Sequence, residues 1–206
     1  LINSPNNPTG AIYPKEDLMM VVRMAQERDL LILSDDIYDN FVFDAPSCPC
    51  IGQLHENTLT FGGFSKGWAM TGWRLGYAAG PKKILQQMIT LQQYTFSCAN
   101  SFAQKAAVKA LDFSVESYIA GYKKKRDLIY DGLKEKFNVQ KPQVAFYIFP
   151  EVLGENAEAF VEKAIQNNLF IVPGSVFSKR NTHVRISFAA SDETLQKGIE
   201  VLNRIS

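Results

Sequence analysis

Four consecutive apolar residues, Leu30-Leu31-Ile32-Leu33, set the frame for this chain. A strand apolar at every position suits a parallel sheet covered on both faces, since a sheet with one face in water needs only alternate apolar positions. Upstream, Leu18, Val21, Val22 and Ala25 fall at the spacing of one helix face behind Pro14. Proline suits a first helical turn because the N–H it lacks would have no partner there. Thr58-Leu59-Thr60-Phe61 and residues 74–79 read as two further strands, the second closed by Gly80-Pro81. Strand, helix, strand, strand is an α/β layer pattern. In open sheets of this kind ligands bind beyond the carboxyl ends of the strands, and the apolar strand delivers Ser34-Asp35-Asp36-Ile37-Tyr38 to such an end.

Three helical stretches follow, over residues 82–95, 101–112 and 115–137. The last is mostly polar outside Ile119, Tyr122, Ile129 and Leu133, and its length and charged flanks suit a helix that links two domains. From Val139 the pattern restarts. Residues 144–149 form a strand ended by Pro150, and Ala157, Phe160, Val161, Ala164 and Ile165 mark a helix. Strands over 169–172 and 183–189 follow, and then a helix capped by Ser191 or Asp192. The expected organisation is a first domain over residues 1–114, a connecting helix over 115–137 and a small α/β domain over 138–206.

Charge and composition exclude several functions. Lys plus Arg and Asp plus Glu nearly cancel, leaving +1, so no basic stripe can neutralise a phosphate backbone and no nucleic-acid partner is expected. The dense run Lys123-Lys124-Lys125-Arg126 reads as the solvated face of a helix, because Asp127, Asp131 and Glu135 follow on the same segment. No apolar stretch approaches the roughly 20 residues that cross a bilayer, so no membrane partner is expected. Cys48, Cys50 and Cys98 cannot all pair, and Cys48-Pro49-Cys50 is tight for a disulfide. A reduced, cytoplasmic protein is the expectation. His55 and His183 are too few and too far from the cysteines to mark a zinc site, and no metal is expected.

Five places carry residues with chemistry to offer. In the stretch 64–77, Lys66 follows Ser65 and stands among apolar and small neighbours, with Arg74 eight residues on. Desolvation lowers a lysine pKa and makes the amine a nucleophile toward carbonyls, although a loop lysine beside buried aromatics explains the same stretch. Asn7 is flanked by prolines in Asn3-Ser4-Pro5-Asn6-Asn7-Pro8-Thr9-Gly10, so its amide direction is fixed, as it would also be in a rigid turn. Asp35 sits at a strand end, suited to a pyridinium nitrogen or equally to a helix cap. Tyr38, three residues on, can share its loop surface. Arg185 is a charge inside the apolar alternation Val184-Arg185-Ile186-Ser187-Phe188. Its planar fork suits a carboxylate, and an edge-strand arginine facing water is the other explanation.

Taken in order, Asn-Ser-Pro-Asn-Asn-Pro-Thr-Gly, Ser-Asp-Asp-Ile-Tyr, Phe-Ser-Lys-Gly-Trp-Ala-Met-Thr-Gly-Trp-Arg-Leu-Gly-Tyr and Val-Arg-Ile-Ser-Phe-Ala resemble the class I and II pyridoxal-phosphate aminotransferases of the aspartate aminotransferase fold type. The resemblance covers essentially the whole chain and is nearest to the branch with bacterial and archaeal aspartate, aromatic and kynurenine enzymes. It implies an incomplete large α/β domain, a mostly parallel sheet with helices on both faces, plus a small C-terminal α/β domain. It implies pyridoxal 5'-phosphate as cofactor, amino acid and 2-oxo acid substrates, and a homodimer when full length. Lys66 would take the cofactor aldehyde and move the proton at substrate Cα. Asp35 would pair with the pyridine nitrogen, while Asn7 and Tyr38 would bond the phenolic oxygen. Arg74 would hold the phosphate, with Ser65 as a lesser contact, and Arg185, together with Asn7, would bind the substrate, Arg185 taking its α-carboxylate.

Departures are visible. Asp36 stands where relatives have Glu, Gly63 replaces a hydroxyl aimed at the phosphate, and Val144 replaces a glycine and is expected to crowd the substrate pocket. The small-residue phosphate loop, the aromatic that stacks on the ring, the first segment of the small domain and a tyrosine lent by a neighbouring subunit are not in this sequence. The chain therefore reads as the C-terminal portion of the enzyme, expected to bind cofactor weakly by itself and to be inactive alone. A carbon–sulfur lyase uses the same lysine but generally has His at the position of Tyr38. A truncated, non-catalytic binding or dimerisation module is the remaining alternative.

Overall fold

The structure, a computed structural model, describes residues 1–45, 47–154 and 156–206. It divides the chain into two units, Leu1–Pro5 with Ile12–Ser117, and Asn6–Ala11 with Tyr118–Ser206.

The first unit carries a four-stranded sheet in the order β1-β2-β3-β4, with β1 Ile2–Asn3, β2 Ile32–Asp35, β3 Thr58–Gly63 and β4 Gly76–Ala79. The first two pairings are parallel and the third antiparallel, as expected of a mostly parallel α/β sheet. Helix α1, Lys15–Glu27, packs Leu18, Val22 and Ala25 against Ile32 and Ile51. Burying Leu18 and Val22 contributes about 1.5–3 kcal/mol each. The apolar run enters the sheet later than its composition indicates. Leu30 and Leu31 are exposed, and Leu30 N–H still bonds the Ala25 carbonyl behind the end of α1. Pairing starts at Ile32, whose N–H reaches the Asn57 carbonyl. β4 likewise begins at Gly76, because Arg74 closes a one-turn 3-10 helix in the left-handed region at φ 52°. Helices α2, Lys82–Thr95, and α3, Ser101–Leu111, follow. The Asn100 side chain caps α3 by accepting from Phe102 N–H.

Helix α4 spans Glu116–Leu133, and from Tyr118 it belongs to the second unit. That unit holds a three-stranded antiparallel sheet in the order β5-β7-β6: β5 Tyr147–Ile148, β6 Val172–Pro173 and β7 Val184–Ser187. Helices α5, Ala157–Gln166, and α6, Asp192–Ile205, are capped by Asn156 and Ser191. The strand expected over 144–149 shrinks to Tyr147–Ile148. Ala145 sits at φ 60°, and Val144 N–H is given to the Gly10 carbonyl instead of to a strand. Phe137, Phe160, Ile148, Val184 and Phe188 are buried in this unit. Among the described residues no helix is long and apolar enough to cross a membrane.

Candidate active site

The carboxyl ends of β2 and β3 bring the first group of residues together. Successive side chains of a strand face opposite ways, so Asp35 and Asp36 are separated by their positions alone. Asp36 is buried and accepts the Ser34 hydroxyl at 2.5 Å. Burial pushes its carboxyl above the ordinary range, with donation from Ser34 and the Cys50 thiol opposing the shift. Burial, with Asp39 and Asp36 nearby, pushes the Cys48 thiol up to about 11. Asp35 is half-buried at the strand end. Its Oδ1 accepts from Ile37 N–H at 3.3 Å, and its carbonyl accepts from the Asn3 side chain at 3.0 Å. The chain then turns, with Phe41 N–H on the Tyr38 carbonyl, and buries Tyr38.

β3 leads into the lysine turn. Phe64 and Met70 bury themselves with Leu75 against Ala103 and Ala107 of α3, with Trp68 packed alongside. Met70 N–H closes the turn on the Phe64 carbonyl at 3.2 Å. With its apolar neighbours anchored, Lys66 is left half-buried, its Nζ 5.9 Å from the centre of the Tyr38 ring. That is the outer limit of a cation–π contact. Ser65 is half-buried in the same turn.

Arg74 is exposed, and its Nη1 donates to the Thr71 carbonyl at 2.9 Å. The glycine at 63 has a physical reason. A Cβ there would lie 3.0 Å from Ile37 Cδ1 and 3.2 Å from Gly76 Cα, closer than ordinary contact, so a side chain at this position crowds the strand pair.

Asn7 and Arg185 lie in the second unit and meet there. Arg185 Nη1 donates to Asn7 Oδ1 at 3.1 Å, and the guanidinium carbon sits 4.5 Å from the Tyr147 ring centre and 4.7 Å from that of Phe177. Among the described residues no carboxylate pairs with Arg185. Val144, expected to crowd a pocket, is fully buried with its N–H on Gly10.

Three participants escape the sequence. Tyr147 faces Ser187 across β5 and β7, which places it near Arg185, a register that only the folded sheet defines. Phe177 sits after a one-turn helix and has no periodicity to betray it. Arg126 corrects the solvated-run expectation: it is 1% exposed on the stripe of α4 that also buries Ile129 and Leu133.

The first unit thus sets an amine, a carboxylate and a phenol at the ends of a mixed α/β sheet, and the second holds an arginine by an amide oxygen and two rings. The profile described as aminotransferase class I and II matches residues 1–202. The chain belongs to this aminotransferase family. It is 38% identical over 217 residues to a probable aspartate aminotransferase of Methanocaldococcus jannaschii, covering 100% of this chain and 57% of the relative. It is 38% identical to aromatic-amino-acid aminotransferase 2 of Thermococcus litoralis, covering 100% and 56%. An aromatic aminotransferase structure from Pyrococcus horikoshii superposes with a TM-score of 0.94 at 38% identity, covering 98% of this chain and 58% of that one. The chain thus spans somewhat over half the length of the relatives it matches.

The family implies pyridoxal phosphate, and the residues fit that group by donor chemistry. Lys66 would offer an amine to its aldehyde, Asp35 a carboxylate to its ring nitrogen, Tyr38 a phenol to its oxyanion, and Arg74 a guanidinium to its phosphate.

Proposed function

We propose that this chain is part of a pyridoxal-phosphate-dependent aminotransferase that moves an amino group between an L-amino acid and a 2-oxo acid, in the aspartate, aromatic and kynurenine branch. The observation that carries the reading is the Lys66 amine over the Tyr38 ring at the carboxyl ends of β2 and β3. In this reading Lys66, Asp35, Tyr38, Ser65 and Arg74 bind the cofactor. Asn7, whose Oδ1 accepts from Arg185, is assigned to the phenolic oxygen by the family resemblance. Bound there, the cofactor supplies an aldehyde for the amino group and a ring that accepts the electron pair of the Cα–H bond. Lys66 Nζ takes the proton from Cα and later returns one, as base and then acid. Asp35 holds the ring nitrogen in its protonated state. Arg185 receives the α-carboxylate bidentately, which fixes Cα for proton transfer by orientation.

The full-length enzyme in this reading is a cytoplasmic homodimer, and the chain by itself, at a little over half the relatives' length, binds cofactor weakly and is inactive. Its first domain covers residues 1–114, followed by the connecting helix over 115–137 and the small domain over 138–206. Tyr38, where lyases generally carry His, favours transfer over carbon–sulfur cleavage. A non-catalytic module would have no reason to retain Lys66, Asp35, Arg74 and Arg185 together. The test is a titration of the complete protein with pyridoxal phosphate, followed by turnover with aspartate, alanine and aromatic donors. The expected result is a visible absorbance band abolished in Lys66→Ala, and a 2-oxo acid formed with the amino group recovered on the acceptor. Pyruvate plus ammonia would make it a lyase, and a band that survives Lys66→Ala would refute the reading.

A further inference from the structure

We infer that Arg126 is a positioning residue for the Asn7–Arg185 pair: its buried guanidinium clamps the segment at Pro142 on which the Asn7 loop is seated. The inference rests on the reading of Arg185 as the carboxylate-binding cation.

A guanidinium that is 1% exposed needs partners, since burying an unpaired charge is prohibitive. Arg126 has them on two sides. Its Nε and Nη2 lie 3.0 and 2.8 Å from Asp127 Oδ1, and its Nη1 donates to the Pro142 carbonyl at 3.1 Å. Asp127 in turn holds Lys141 Nζ at 2.8 Å. Burial pushes the Asp127 carboxyl up, but Lys141 and Arg126 together hold it below its ordinary range. Consecutive residues 141 and 142 are thus both tied to one step of α4, one by its side chain and the other by its backbone.

The next link is Gly10. The N–H groups of Gln143 and Val144 both donate to its carbonyl, at 2.7 and 3.1 Å. Its bare α-carbon lies against Pro142, where a Cβ would come within 2.6 Å of the proline Cβ. From Gly10 the loop closes on itself. Gly10 N–H bonds the Asn6 carbonyl at 3.0 Å, Thr9 bonds Asn6 Oδ1 through both its N–H and its hydroxyl, and Asn6 N–H bonds the Ala11 carbonyl at 3.0 Å. Asn7 projects from this closed loop to Arg185. Arg126 therefore acts on Arg185 through Pro142, Gly10 and Asn7, without touching it. Arginine suits the task because one planar group serves an anion and a carbonyl in different directions. Lysine carries its three donors on a single nitrogen and cannot present them from separate positions as the fork does, and methionine offers none.

The test uses the complete protein, with the unreactive dicarboxylate maleate as probe and hydrogen exchange at the Gln143 and Val144 amides as a readout of the clamp. For Arg126→Met the expected result is an exchange rate at these two amides raised at least tenfold. Maleate affinity should fall roughly tenfold, the scale of one lost hydrogen bond, with exchange in α6 unchanged. Arg126→Lys should recover part of both effects. Lys141→Met, at an exposed position, should loosen the same amides less, and it supplies the answer if Arg126→Met does not fold. Wild-type exchange at the two amides in the variants would overturn the clamp. Faster exchange with wild-type maleate affinity would overturn the positioning role. Arg185→Lys tests the underlying reading separately: it should lose maleate while leaving the Gln143 and Val144 amides protected, and retained maleate binding there would refute the carboxylate assignment alone.

Discussion

Gly10→Ala is the sharpest test of how the Asn7 loop is held. Gly10 has φ +69°, a region in which an L residue costs roughly 1–2 kcal/mol. The new methyl would also lie 2.6 Å from Pro142 Cβ, 3.1 Å from its Cα and 3.2 Å from the Tyr147 carbonyl. None of these is the free end of a flexible side chain, and Pro142 is tied down by Arg126, so the overlap adds about 1–3 kcal/mol. The sum is about 2–5 kcal/mol. Gly154→Ala isolates the first contribution, because Gly154 has φ +80° with nothing among the described residues within 4 Å of an added Cβ, and it should cost only roughly 1–2 kcal/mol. The assay is native-state hydrogen exchange of the complete protein, read as opening free energies of amides in the second unit, with urea unfolding alongside. If Gly10→Ala costs no more than Gly154→Ala, the seating of Gly10 on Pro142 is wrong.

Asp36→Asn probes the buried carboxyl. Its folded pKa is raised above the ordinary 3.8, so the stability present below that value is lost as pH rises through the raised folded value. The asparagine variant has no such loss, and its urea midpoint relative to wild type should climb as pH rises above the ordinary 3.8; a difference that stays flat with pH would refute the assignment. Gly63→Ser should destabilise by about 1–3 kcal/mol through the approach to Ile37 and Gly76, without improving cofactor affinity in the absorbance titration. Gly121→Ala lies inside α4 with nothing among the described residues within 4 Å of the new Cβ, and should raise the thermal midpoint by a gain of about 0.8–1 kcal/mol.

The α/β pattern, helix α2 from Lys82 to about Thr95 and a cap at Ser191 or Asp192 were legible in the sequence, because each depends on spacing within one short segment. Strand limits were less so. Whether Leu31 or Ile32 opens β2 depends on where the Asn57 carbonyl stands, and that is set by a segment far along the chain. The expected site residues could be named from their chemistry and from the resemblance, but their surroundings could not. The sequence determined that Arg185 is a cation within an apolar strand. Only the folded sheet decided that Tyr147 and Phe177 bracket it and that Asn7 Oδ1 accepts from it. Arg126 shows the same limit from the other side. A run of four basic residues reads as solvated because charge is costly to bury, and composition cannot reveal that a proline carbonyl 16 residues on and an adjacent aspartate satisfy one of the four. Periodicity is a local property of the chain, whereas satisfaction of a buried charge depends on which segments meet, and only tertiary structure decides that.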